Sequence, residues 1–172
     1  MSKRIIEVVD FNLNWNNIFE LEKKQLTKVI GINAVDIEHI GSTAVAGLAA
    51  KPIIDILIEV TSLKALDMTN KSMETLGYRI KGENGIAGRR YYQKGGNMRS
   101  HHVHAFQIGD GHLHRHRAFK AYLIAHAEIA AEYGSLKKAA STKSNNDINI
   151  YIALKNDFIQ KHEALAIEWF GR

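Results

Sequence analysis

An aspartate, two histidines and a hydroxyl-bearing turn are the residues of this chain best suited to chemistry. The turn is Gly41-Ser42-Thr43, directly after a short apolar stretch. Such a turn presents backbone N–H groups and hydroxyls to an anion. Lys51-Pro52 follows, and then a β-branched run, IIDILIEV, carries Asp55 near its start. A carboxylate in an apolar strand is costly to bury unless it is paired or holds a metal. Turn and acid together read as a phosphate-and-metal site. In HHVHAF, His102 and His104 alternate with Val103 and Ala105, so both imidazoles share one strand face. His-x-His on a strand can place two imidazoles on one metal ion, with Asp55 adding an oxygen ligand. If the two strands are neighbours, the three side chains converge; if not, the histidines are solvated on an edge.

Further candidates lie outside these strands. Arg89 and Arg90 open a strand after a Gly-rich loop, so one faces inward, where a guanidinium can hold a phosphate in two-pronged fashion. Arg90 is assigned to the site, with Lys51 as a second neutralising cation. Lys155 shares a helical stripe with Tyr151, Phe158 and Ile159, and Tyr133-x-x-x-Lys137 repeats the Tyr151-x-x-x-Lys155 spacing. One turn apart, a phenol and an ammonium can aim at one anion, or the lysine can snorkel with its methylenes over apolar surface. Tyr151 and Lys155 are placed at the cavity. His112, His114 and His116 read as a polar surface turn.

These residues need elements to hold them. Residues 4–10 read as a short strand, and residues 14–30 as a helix with Asn14 as cap and Gly31 as stop. Strands are expected over 36–40 and 53–60, with Ile54, Ile56 and Ile58 on the core face and Asp55, Leu57 and Glu59 opposite. A helix over 63–76 precedes strands at 78–80, 89–94 and 101–108, separated by Gly-rich turns. From residue 113 the pattern is helical to 140, with a kink or break near Gly134. STKSNND then breaks it before a last helix over 147–170. Strands first and helices last predict an α+β fold, with a core over residues 1–110 and a helical portion over 111–172 packed on it as one unit.

Composition narrows the class. The 172 residues fit one domain with a real core, and the absence of cysteine excludes disulfides and thiolate metal sites. No apolar run approaches the roughly 20 residues that span a bilayer, and the amino terminus lacks a signal-peptide core, so a cytoplasmic location is expected. A net charge of +5 favours an anionic small molecule. Lys and Arg are scattered, which lends nucleic-acid binding no special support.

GSTAVAGLAAKPIIDILIEV, GRRYYQKG, HHVHAF, AFKAYLIAH, YGSLKKA and DINIYIALKNDFI together resemble the GrpB family of small bacterial proteins. The resemblance implies a nucleotidyltransferase-like mixed sheet flanked by helices. It also implies a nucleotide or coenzyme ligand, since members occur fused to dephospho-coenzyme-A kinase domains. In the wider superfamily a Gly-Ser turn binds the triphosphate, and an Asp-x-Asp pair with a third acid holds two metal ions. Gly41, Ser42 and Asp55 match that pattern. Leu57 stands at the second acid position, His102 or His104 where a third acid belongs, Ala46 in place of proline, and Lys120 and Ile124 in place of arginines. One carboxylate with neutral imidazoles supplies too little charge for two Mg²⁺. The resemblance therefore implies a single-metal site (Mg, Mn or Zn on Asp55 and His104), with Asp55, His102 and His104 as catalytic groups, or binding without catalysis. Gly41, Ser42, Thr43, Lys51, Arg90, Tyr151 and Lys155 would hold the ligand.

Overall fold

The computed structural model describes residues 6–171. Helix α1 (Trp15–Ile30) leads through a 3₁₀ turn into β1 (Ala34–Ile40). The 3₁₀ turn Ser42–Ala44 precedes β2 (Ile54–Val60). Two short helices, α2 (Leu63–Asp67) and α3 (Asn70–Thr75), come next, then β3 (Tyr78–Ile80), β4 (Arg89–Lys94) and β5 (His101–Gln107). Three helices close the chain: α4 (Gly111–Ala125), α5 (Ala127–Ser144) and α6 (Ile148–Phe170). The sheet order is β1-β2-β5-β4-β3, with β2 and β5 parallel and the other neighbours antiparallel. This is the expected α+β mixed sheet flanked by helices.

Alternation divides the sheet into two faces. Ile54, Ile56, Ile58, Val103, Ala105 and Tyr92 pack under α1 against Phe19, Leu26 and Ile30. On the other face Leu57, Ile40 and Phe106 meet Leu113 at the start of α4. Arg117 fastens α4 to that face, donating to Glu38 on β1 and Glu59 on β2, each at 2.7 Å. The end of this face that carries Asp55 is left open. The helical portion shares its interior with the core, since Val45 and Leu48 pack with Ala118, Leu123, Tyr133 and Ala166.

Several elements differ from the sequence reading. Residues 1–5 lie outside the described residues, and the remainder of the first expected strand contributes one bridge, Val9 to Ala50. Asn14 is already helical and caps nothing with its side chain. The helix expected over 63–76 is two, because the Thr69 hydroxyl donates to the Leu66 carbonyl and competes with the backbone ladder. The break between α4 and α5 falls at His126, whose non-helical backbone (φ −122°, ψ 77°) ends α4 while its Nδ1 lies 2.8 Å from the Tyr122 carbonyl. Gly134 continues the helix; a Cβ there would lie 3.3 Å from Leu48 Cδ1, so it permits close packing. The loop before α6 shrinks to residues 145–147, where Asn145 and Asn146 take positive φ and Asp147 caps Asn149 and Ile150. None of the helices among the described residues is long and apolar enough to cross a membrane.

Candidate functional site

The site forms where the turn after β1 meets the start of β2. Gly41 adopts φ +73°, and a Cβ at that position would sit 2.8 Å from Asp55 Oδ2. Only glycine lets the turn lie this close to the carboxylate. Ala44 N–H closes the turn on the Gly41 carbonyl, and Val45 N–H on that of Ser42. The Thr43 side chain is buried: its hydroxyl lies 2.8 Å from His39 Nε2 and donates to the Ile53 carbonyl. Burial and the Lys120 ammonium push His39 down to about 4, so the imidazole is neutral at neutral pH. With Thr43 donating to Ile53, His39 Nε2 carries the hydrogen. Thr43 lines the cavity, but its hydroxyl holds the turn in shape.

Asp55, His102 and His104 converge because β2 and β5 are parallel neighbours, with Asp55 opposite His102 and Leu57 opposite His104. Asp55 Oδ1 is 3.5 Å from His102 Nδ1 and 3.4 Å from His104 Nε2. Burial would raise the Asp55 carboxyl, but hydrogen bonds and charge from the two histidines outweigh it and hold it well below the usual carboxylate range. His102 lines the cavity, and its Nε2 is 3.4 Å from Arg99 Nη1. His104 sits behind Asp55, with its ring 5.1 Å from Tyr91 and 5.3 Å from His116. His116 is therefore a half-buried residue of α4 turned toward His104 and not part of a surface turn; burial and the neighbouring His104 push it down to about 3. His112 likewise stacks on Phe106.

The expected metal site finds a weak donor set. Both imidazole nitrogens face one carboxylate oxygen, and Leu57 is fully buried in an apolar cluster where a second acid would stand. Among the described residues no group of three or more His, Asp or Glu side chains is arranged to hold a metal ion. The three side chains form a close carboxylate–imidazole cluster across β2 and β5.

Across the cavity from the turn stand α5 and α6, which supply the cations. The cavity, about 230 Å³, is lined by Ser42, Asp55 and His102 on one side and by Tyr133, Lys137, Tyr151 and Lys155 on the other, with Lys51 at its edge. Lys51 and Lys155 lie over the same Tyr151 ring, at 4.7 and 4.5 Å from its centroid. Lys137 lies 4.4 Å over the Tyr133 ring. Burial raises the Tyr133 phenol and keeps it protonated beside the Ser42 hydroxyl. Lys137 is only 2% exposed, and its Nζ has no hydrogen-bond partner. Burial, then the charges of Lys155 and Lys51, push it down to about 7, against a pull upward from Asp55.

Arg90 belongs elsewhere. On β4 it pairs with Ala105, on the face opposite Asp55, and grips Asp67 with Nε at 2.7 Å and Nη2 at 3.1 Å. Its neighbour Arg89 shares the face of His104 but donates to the carbonyls of Glu83 and Asn84. Neither guanidinium reaches the cavity, because the face of each residue follows from the register of β4 on β5. Lys137 and Tyr133 take the place sought for an arginine, and the signal that marks them in sequence is the repeated Tyr-x-x-x-Lys spacing.

A five-stranded mixed sheet with this turn and acid, closed by carboxy-terminal helices, defines a nucleotidyltransferase-like fold. The Cid1 poly(U) polymerase, solved with MgGTP bound, shares it at a TM-score of 0.53 and 14% identity, over 80% of this chain and 44% of that one. Within that class the chain belongs to the GrpB family, whose model (GrpB protein) matches residues 5–164. The crystal structure of the conserved protein GrpB from Enterococcus faecalis superposes at a TM-score of 0.93, with 38% identity over 96% of this chain and 100% of that one. UPF0157 protein YqkA of Bacillus subtilis is 47% identical over 97% of this chain, which spans 49% of that relative's length. A Mycolicibacterium paratuberculosis relative named dephospho-CoA kinase is 26% identical over 84% of this chain and 42% of its own.

Proposed function

We propose that this protein binds a phosphate-containing small molecule, a nucleotide or a coenzyme, in the cavity between the residue 41–43 turn and helices α5 and α6. One observation carries the proposal: the Lys137 ammonium is buried without an acceptor, beside two further lysines. Like charges gathered in a low-dielectric pocket are unfavourable until an anion arrives. A phosphate chain would receive ammoniums from Lys137, Lys51 and Lys155, with the Ser42 hydroxyl and the turn's backbone opposite. The fold likeness to a nucleotide-bound polymerase and the kinship with a dephospho-CoA kinase support a nucleotide or coenzyme as the carrier of that phosphate.

The test is thermal denaturation with ATP, coenzyme A or pyrophosphate, with and without divalent metal. A ligand at a hundred times its Kd stabilises by about 2.7 kcal/mol, and Lys137→Met should abolish the shift. If none of the three ligands stabilises the protein, the proposal falls.

A second reading, binding without group transfer, is favoured by Leu57, which fills the second acid position with a side chain buried in the Ile40–Phe106–Leu113 cluster. Asp55 and His102 remain available to orient or move a proton. Turnover would be seen as pyrophosphate release from ATP that Asp55→Asn abolishes; its absence across nucleotides and metals favours the binding module.

A further inference from the structure

The lysine cavity does not end at Lys51. Lys51 and Ile53 also border a second cavity of about 300 Å³, whose remaining lining is Glu7, Pro52, Met98 and Arg99. Small-molecule sites occupy about 300–1,000 Å³. The first cavity alone falls below that range and suits a phosphate chain, whereas the adjoining pair falls within it.

The chemistry changes across the shared wall. Beyond Lys51 the surface is Pro52 and Ile53, with the Met98 thioether 74% exposed at the rim. A tight turn presents Met98 and Arg99. Gly95 has φ +103°, and a Cβ there would fall 2.5 Å from the Met98 carbonyl. Met98 N–H closes on the Gly95 carbonyl at 3.1 Å, and Ser100 N–H on that of Lys94 at 2.9 Å. Arg99 Nε donates to the Gly96 carbonyl at 2.7 Å, and its Nη1 approaches His102 Nε2. Arg99 thus lines the second cavity while touching a residue of the first.

We infer that the two cavities are one bipartite site, with phosphates among the lysines and a flat, amino-bearing heterocycle, as in an adenine nucleotide, held against Met98 and Arg99. The inference rests on the phosphate-binding reading above and adds the organic half of the ligand. A thioether and a guanidinium both pack well on aromatic faces. The Glu7 carboxylate can only accept hydrogen bonds, so it suits a ring amino group and opposes a ring carbonyl.

Calorimetric titration with ATP, UTP and inorganic tripolyphosphate tests it, on the natural protein and on Met98→Ala and Glu7→Gln. ATP should bind about tenfold tighter than tripolyphosphate, as expected for one stacked base. Met98→Ala should remove most of that gap and leave tripolyphosphate within about twofold, and Glu7→Gln should narrow the preference for ATP over UTP. Equal binding of ATP and tripolyphosphate, unmoved by Met98→Ala, overturns the bipartite site and leaves the phosphate site standing. Failure of all three ligands to bind overturns both.

Discussion

The two faces of the sheet each bury a charged cluster, and the two clusters are built on opposite logic. Under α1, Glu22 accepts from the Tyr78 hydroxyl at 2.9 Å and from Lys94 Nζ at 3.0 Å, with His101 Nε2 at 3.7 Å. One carboxylate meets one ammonium and a phenol, and the helix is tied to β3, β4 and β5. On the other face Lys137 Nζ has no hydrogen-bond acceptor, and burial with the charges of Lys155 and Lys51 outweighs the opposite charge of Asp55. In the first cluster the ammonium has its carboxylate within the chain; in the second the buried ammonium has no hydrogen-bond acceptor among the described residues, and the proposed anion would supply one. A buried charge that the fold balances reports on stability, and one that the fold leaves unbalanced reports on a ligand.

Glu22→Ala should produce the largest effect, a loss of about 3–5 kcal/mol of stability on urea denaturation, since it strands Lys94 without its partner. Lys137→Met should do the reverse and leave stability unchanged or about 1 kcal/mol higher, because it removes a buried cation that has no acceptor. A comparable loss in both variants would erase the distinction between the clusters. Acid adds a test on the α1 face, where His39 pairs with Ile56 and stacks on Phe19 beneath the residue 41–43 turn. His39 sits at about 4 in the folded protein against an ordinary 6.5, so the unfolded chain takes up a proton that the folded one refuses. Stability should therefore fall as pH drops below about 6.5, by up to roughly 3 kcal/mol near pH 4 from this residue. His39→Gln should flatten that limb of the profile. Gly41→Ala should cost about 1–3 kcal/mol through its positive φ and through contact with Asp55. Smallest is Arg90→Ala, at about 1 kcal/mol or less with ligand binding unaltered, since its pair with Asp67 is partly exposed.

The strand faces were legible because side-chain alternation is local: Asp55 against Leu57, and His102 with His104, follow from period two alone. That the two strands lie side by side and parallel is a non-local fact. Periodicity left it open, and the family resemblance supplied the fold instead. Arg90 illustrates the limit. Alternation says that one of two adjacent arginines faces the site side, but which one depends on the pairing of β4 with β5 and on where Asp67 waits. His116 was misplaced for a related reason, since α4 starts at Gly111 under the Asp110 cap and rotates His116 inward against His104. The lysine cluster draws on the end of β2's leading loop and on two helices, so its convergence could be read only as a repeated spacing.

The central claim is that Lys137 waits for an anion, and calorimetry with inorganic tripolyphosphate at pH 7 and pH 9 tests it most directly. An anion favours the charged lysine, so binding takes up a proton once the pH exceeds about 7. Affinity in the natural protein should then fall by up to about tenfold per pH unit, although the ligand itself only gains negative charge over that range. In Lys137→Met, binding should be at least about tenfold weaker at pH 7 and should lack this decline. Equal affinity of the two proteins at pH 7, with the same dependence on pH, would contradict the account.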